Sequence, residues 1–197
     1  MKNEFFETIK VDDAKIYNIE YHQTRYEKTL KSLGQDAYFD LASYIKAPTN
    51  KLLRCKIIYD AKGIQSVEYF SYLKRKINSL KLIYNDNIEY NLKFTNRNTI
   101  NSLYEQKEKC DDILIVKNGY ITDTSIANIA LYKDGIWYTP KQTLLDGTTR
   151  NRYIKTEKII QKDIKVEELY SFSKVALLNA MIDFDIMSLN KGDFFVK

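Results

Sequence analysis

Asp111-Asp112-Ile113-Leu114-Ile115-Val116-Lys117-Asn118-Gly119-Tyr120-Ile121-Thr122-Asp123-Thr124-Ser125-Ile126-Ala127-Asn128-Ile129-Ala130-Leu131 decides the fold. Trp137-Tyr138-Thr139-Pro140 and Leu144-Leu145-Asp146-Gly147-Thr148-Thr149-Arg150 extend it. An apolar strand runs into Asn118-Gly119, a second strand follows, and a small polar loop spans 122–128. A third strand over 128–132, a turn at Asp134-Gly135 and a fourth strand over 136–139 complete a meander. Asn-Gly and Asp-Gly between apolar runs are strong hairpin signals, because these residues tolerate the positive φ of the tight turns. Gly147-Thr148-Thr149 then opens a helical pattern predicted over 148–161, with Ile154, Ile159 and Ile160 on its apolar face. Backbone amides and hydroxyls therefore gather at a helix N-terminus, a setting that suits an anion such as phosphate.

Upstream, 5–11 and 15–21 read as strands around Asp12-Asp13. Residues 22–33 have helical spacing and stop at Gly34, a suitable C′ residue. His22 and Arg25 lie three apart and share a helix face; on residues alone they read as a capping histidine and a surface arginine. A second helical stretch, 36–45, is ended by Pro48, and strands follow at 52–59, 67–72 and 79–84. The class is α+β, with a helix-covered sheet over 1–89 as a small first lobe and a larger lobe over 90–197. Arg54 reads as a surface residue or as a partner for a substrate carboxylate. Lys93 cannot be told from its neighbours by composition. A helix over 99–108 precedes Cys110. Downstream, 166–172 reads as a short helix and 174–180 as a buried strand ending on Asn179-Ala180-Met181, and the tail to 197 finishes as a strand.

The chain has 197 residues, 44% of them hydrophobic, enough to bury a proper core. Its net charge of +5 comes from 31 basic and 26 acidic residues spread along the chain. That pattern reads as a solvated surface that suits an anionic small molecule, with no nucleic-acid partner. Two cysteines without metal-like spacing point to reduced thiols in a cytoplasm and to no metal site. The first residues lack an apolar signal region and no apolar run reaches transmembrane length, so a soluble protein with no membrane partner is expected.

In order along the chain stand Gly119, Asp123, Ser125-Ile126-Ala127-Asn128, Thr139-Pro140 and Gly147-Thr148-Thr149-Arg150. Together they resemble the fold-type-IV pyridoxal-phosphate enzymes, the class IV aminotransferases. The resemblance covers nearly the whole chain and is tight from Lys93 to Arg150. It implies a two-lobed fold like that of D-amino-acid aminotransferase, with pyridoxal 5′-phosphate in the cleft between lobes, and a homodimer. Lys93, in Lys93-Phe-Thr-Asn-Arg97, takes the place of the family's covalent lysine. Arg25, in His22-x-x-Arg25, takes that of the arginine that grips the cofactor phosphate, a task suited to a guanidinium fork. Asp123 takes that of the acid opposite the pyridine nitrogen, where the family usually has glutamate. Ser125, Ile126, Ala127, Asn128, Thr148, Thr149, Asn179 and Ala180 take those of further cofactor contacts. Typical members also begin with a further glycine-rich segment and have a longer first lobe; here the match enters at Phe5-Phe6-Glu7-Thr8.

The Phe-Glu-Thr-Ile start, the His-x-x-Arg helix, Lys-x-x-Asn-Arg and the Asn-Ala-Met strand end are most similar to the 4-amino-4-deoxychorismate lyases. That group forms p-aminobenzoate and pyruvate for folate synthesis. An amine-bearing anionic substrate is implied, with Arg54, Tyr90 and Arg97 as candidates for its carboxylates. A transaminase acting on a branched-chain or D-amino acid would use the same lysine, acid and phosphate grip. A catalytically idle cofactor-binding protein is the third reading; intact Lys93, Arg25 and Thr149 speak against it.

Overall fold

The structure is a computed structural model that describes residues 3–188 and 195–196. The chain forms two compact units, one drawn from Met1–Lys74 and Leu92–Asn96, the other from Arg75–Asn91 and Arg97–Lys197.

In the first unit, β1 (Phe5–Asp12) and β2 (Lys15–Ile16) are followed by α1 (Ile19–Ser32) and the single turn α2 (Leu41–Tyr44), then by β3 (Leu53–Asp60) and β4 (Gly63–Ser71). The antiparallel sheet runs β2-β1-β3-β4, with Phe5 opposite Tyr59 and Val11 opposite Leu53. Alternation along β1 sends Phe5, Ile9 and Val11 into a core shared with Tyr26 and Leu30 of α1 and Cys55, Ile57 and Tyr59 of β3. The strand expected over 15–21 ends at Ile16, because Asn18, at φ 52°, turns the chain into a helix that starts before His22. The stretch 36–45 is helical only at Leu41–Tyr44, where the Asp40 carboxylate caps the Ala42 N–H.

The second unit contains β5 (Leu80–Tyr84), α3 (Asn98–Tyr104), β6 (Asp112–Lys117), β7 (Tyr120–Thr124), β8 (Asn128–Lys133) and β9 (Ile136–Pro140). After these come α4 (Thr148–Lys155), β10 (Ile160–Lys162), β11 (Lys174–Asn179), β12 (Asp183–Ser188) and β13 (Phe195–Val196). The sheet order is β10-β9-β8-β7-β6-β5-β13, and β11 pairs with both β8 and β12. Both expected hairpins form. Asn118 and Gly119 take φ 52° and 78°, and Asp134 and Gly135 take 50° and 85°, as tight primed turns require. The expected loop is shorter than 122–128: β7 runs through Thr124 and β8 starts at Asn128. The helix expected over 148–161 stops at Lys155. Glu157 turns at φ 57°, Ile159 buries beside Ala130, Ala176 and Leu178, and Ile160, half exposed, starts β10, parallel to β9. Residues 166–171 form a 3-10 turn, and Glu105–Lys107 is 3-10 rather than a continuation of α3. Of the terminal strand, Lys197 lies outside the described residues.

The units divide differently from the expected 89/90 boundary. β5 pairs in parallel with β6 and so belongs to the second unit, whereas Leu92–Asn96 returns to the first. There the Phe6 N–H donates to the Lys93 carbonyl at 2.9 Å and Phe94 bridges Phe5. Lys93 thus packs with the first unit. Among the described residues no helix is long and apolar enough to cross a membrane, and no acidic, His or Cys group could hold a metal.

The core of the second unit joins Leu114, Ile129, Leu131, Val175 and Leu177, all fully buried. Leu177→Ala should lower stability by about 2–5 kcal/mol, through lost transfer free energy and the cavity left behind. A shift of the urea midpoint with unchanged slope is the expected readout.

Candidate active site

Strand register decides the first cluster. β1 puts Glu7 on the same face as Phe5, Ile9 and Val11, so its carboxylate enters the core fully buried. A carboxylate there has to be paired. One turn of α1 supplies both partners. His22 Nδ1 lies 2.6 Å from Glu7 Oε2, and Arg25 donates from Nε to Oε1 at 2.8 Å and from Nη2 to Oε2 at 2.5 Å. Burial alone would raise the Glu7 carboxyl, but the Arg25 charge and the hydrogen bonds from His22 and Arg25 outweigh it and hold it at about 2. Burial lowers the imidazole pKa of His22 against the pull of Glu7, and the Arg25 and Lys93 charges act in the same direction as burial. The Lys93 Nζ lies 4.6 Å from the centroid of the Phe6 ring.

A second buried carboxylate, Asp123 at the end of β7, organises the other unit. It stands opposite Asn128 across the three-residue loop, and Asn128 Nδ2 donates to its Oδ1 at 2.8 Å. The backbone amides of Leu144 and Leu145 both donate to its Oδ2 at 2.9 Å. Burial nevertheless pushes its carboxyl up to about 6, against the lowering by those hydrogen bonds and by the Arg150 charge. An ionised carboxylate has about four acceptor sites, so one on Oδ1 is left beside the protein donors. A buried acid with a raised pKa and a spare acceptor site fits a protonated ring nitrogen.

Asn128 Nδ2 also donates to the Leu145 carbonyl at 3.0 Å, which brings the loop before α4 against β8. The approach is so close that a Cβ on Gly147 would stand 1.8 Å from Asn128 Oδ1. Only glycine fits there, and the reason is contact rather than torsion, since Gly147 has φ −73°. The first α4 hydrogen bond runs from Asn151 N–H to Gly147 O, so the amides of Thr148, Thr149 and Arg150 lie outside the helical ladder. Thr148 and Thr149 are buried there. Arg150 Nε donates to Thr139 Oγ1 at 3.2 Å and its Nη2 to the Pro140 carbonyl at 2.7 Å. The Thr-Pro and Gly-x-Thr-Arg motifs are therefore two sides of one contact.

The loop between β7 and β8 is braced on several sides. Thr124 Oγ1 accepts from the Ala127 N–H at 3.0 Å, Arg97 Nη2 donates to the Ser125 carbonyl at 2.7 Å, and Asn179 Nδ2 donates to the Ile126 carbonyl at 3.3 Å. Ser125 faces the buried Asp112. Burial raises that carboxyl, opposed by hydrogen bonds from the Ser125 side chain and backbone and by the Arg75 charge. Asn179 Oδ1 also accepts from the Met181 and Ile182 amides, so this side chain holds the β11–β12 turn, with Ala180 in it. Tyr90 is buried, its ring centroid 6.0 Å from the guanidinium carbon of Arg97. Arg54 lies exposed on β3, over the Phe70 ring.

Asp123, Asn128, Gly147, Thr148 and Thr149 are thus brought together in the second unit, and Arg25 and Lys93 belong to the first. Sequence reasoning missed the part played by Glu7 and by the Leu144 and Leu145 amides. The signal for Glu7 was present: in Phe5-Phe6-Glu7-Thr8-Ile9-Lys10-Val11 the period-two pattern places a glutamate on the apolar face. Backbone amides leave no such trace.

The fold is that of the fold-type-IV aminotransferase-like proteins, with mixed sheets. A family profile for amino-transferase class IV matches residues 4–184, and the chain belongs to that family. A protein of Haemophilus influenzae (strain ATCC 51907 / DSM 11121 / KW20 / Rd), described as uncharacterized, is 40% identical over 182 residues, covering 89% of this chain and 96% of its own. The crystal structure of a protein from Haemophilus somnus 129pt, provisionally named a 4-amino-4-deoxychorismate lyase, matches with a TM-score of 0.82 at 35% identity. That match covers 92% of this chain and 97% of the other. The PLP-bound form of a hypothetical aminotransferase from Mycobacterium tuberculosis shares the fold at 14% identity, with a TM-score of 0.81 over 99% of this chain and 84% of its own.

Glu7 binds protons less readily folded than unfolded, so its contribution is present above its ordinary 4.5 and is lost as pH falls towards about 2. The urea midpoint should drop across that window by the equivalent of about 3 kcal/mol, and Glu7→Gln should abolish this dependence while destabilising the protein at neutral pH. Asp123 has the opposite sign. Its folded pKa is raised, so stability should decline as pH rises from 3.8 to about 6, and Asp123→Asn should flatten that segment. Gly147→Ala must displace Asn128 and should cost about 1–3 kcal/mol, read in the same titration.

Proposed function

We propose that this protein is a pyridoxal-phosphate-dependent 4-amino-4-deoxychorismate lyase, which releases p-aminobenzoate and pyruvate for folate synthesis. The observation that carries the reading is the 35% identity, over nearly the full length of both chains, with the Haemophilus somnus protein of that provisional name. The buried acid Asp123 and the close approach of Gly147 to Asn128 are the features of this chain that suit the cofactor. Lys93 would hold it covalently through Nζ. Arg25 and the amides and hydroxyls of Thr148 and Thr149 would hold its phosphate, and Asp123 would keep its ring nitrogen protonated. Ser125, Ile126, Ala127, Asn128, Asn179 and Ala180 shape the surrounding loops. When bound, pyridoxal phosphate supplies an electron sink for charge left on the substrate carbon. Lys93 Nζ takes a proton from the substrate ring and returns one to the departing three-carbon fragment, which becomes pyruvate. The remaining ring becomes aromatic, so the elimination runs downhill.

Glu7 keeps the Arg25 fork aligned. The substrate is a small amine-bearing anion, and we place the protein in the cytoplasm as a homodimer; its cysteines, Cys55 and Cys110, are free thiols, as suits a reducing compartment. Amino transfer to a 2-oxo acid is the second reading. It rests on the same Lys93 and Asp123 and on membership of an aminotransferase family.

Cofactor-loaded protein given 4-amino-4-deoxychorismate should yield p-aminobenzoate and pyruvate in equal amounts. Lys93→Ala should lose at least about 10²–10⁴-fold of that rate, and borohydride should fix the cofactor to Lys93 in the wild type alone. Absence of both products beside an intact borohydride adduct would remove the lyase reading in favour of amino transfer, to be assayed with 2-oxoglutarate.

A further inference from the structure

Arg97 combines a fixed direction with the lack of an acidic partner. Arg25, Arg75, Arg150 and Arg152 each face a carboxylate, namely Glu7, Asp112, Asp146 and Asp183. Arg54 is exposed. Arg97 is half-buried, its Nη2 donates to the Ser125 carbonyl at 2.7 Å, and its guanidinium carbon lies 6.0 Å from the centroid of the Tyr90 ring. Among the described residues no Asp or Glu pairs with it. One carbonyl satisfies one of the five N–H donors of an arginine and leaves its charge uncompensated. Withdrawing such a charge from water without a counter-charge is costly, and an arriving anion offsets that cost. A planar fork already oriented by one hydrogen bond loses little freedom when it takes a carboxylate through two more.

Position adds to this. In sequence Arg97 follows Lys93 by four residues, and the carbonyl it holds belongs to Ser125, in the loop that joins Asp123 to Asn128. We propose that Arg97 is a specificity-determining residue that binds a carboxylate of the substrate; the nature of that carboxylate rests on the lyase reading. The bond to Ser125 keeps the guanidinium in place while the rest of the fork meets the anion.

Arg97→Gln separates this role from simple bracing, because glutamine can still donate to the Ser125 carbonyl but carries no charge. In the cofactor-loaded variant, KM for 4-amino-4-deoxychorismate should rise at least tenfold, with thermal stability and cofactor affinity as in the wild type. Equilibrium binding gives a readout independent of turnover. The probes are p-aminobenzoate and pyruvate, each compared with its uncharged amide. The wild type should prefer at least one acid over its amide by tenfold or more, and the variant should lose that preference. The acid concerned identifies which substrate carboxylate Arg97 takes. Equal weakening of acid and amide, an unchanged preference in the variant, or no preference in the wild type would overturn the proposal. A wild type that forms no p-aminobenzoate yet prefers pyruvate to its amide through Arg97 would end the lyase reading and leave the carboxylate site standing.

Discussion

A buried carboxylate that accepts from backbone amides far along the chain is what the second unit depends on. Asp123 draws the Leu144 and Leu145 amides against the end of β7, and Asn128 closes the arrangement by donating both to Asp123 and to the Leu145 carbonyl. The N-terminus of α4 then begins where it does because Gly147 has to pass Asn128 at a distance no side chain could tolerate. Hydrogen bonds of this kind are individually worth about 1.5–3 kcal/mol when the acceptor is charged. Their larger effect is that removing one leaves a buried polar group without a partner.

The first unit buries a carboxylate in the same way, with side-chain partners, one of them a cation. Glu7 sits on the apolar face of β1, and its burial is offset by the Arg25 guanidinium and by His22, one helical turn apart. Such a pair contributes less to net stability than its strength suggests, because desolvation of both charges opposes it. What it secures is orientation: two hydrogen bonds to one carboxylate hold the Arg25 fork in a single plane. For a residue proposed to grip a phosphate, a fixed plane reduces the entropy lost on binding.

The other motif residues meet for equally local reasons. Thr139 donates to the Ile129 carbonyl and accepts from Arg150, so the end of β9, the start of β8 and the first turn of α4 are held at one point. Arg97 and Asn179 approach the β7–β8 loop and each take one of its carbonyls. A loop restrained this way keeps the amide and carboxylate groups around Asp123 in one arrangement.

Much of this was determined by the sequence. The hairpins at Asn118-Gly119 and Asp134-Gly135 were legible because turn chemistry is local: each dipeptide carries its own preference for positive φ. The order of Lys93, Asp123, Asn128, Thr139 and Gly147-Thr148-Thr149-Arg150 was legible as a family pattern, and with it the candidate site. Tertiary structure alone decided the rest. Whether β5 joins the first sheet or the second depends on pairing with β6, a partner distant in sequence. The helix predicted to 161 gives way at Lys155 because Ile159 finds a buried place beside Ala130, Ala176 and Leu178 and the next residues find β9. The partners of Glu7, the amides that hold Asp123 and the carbonyl that holds Arg97 are likewise contacts between separated segments. Periodicity and propensity act over a few residues, whereas a buried charge is satisfied by whatever group the folded chain brings to it.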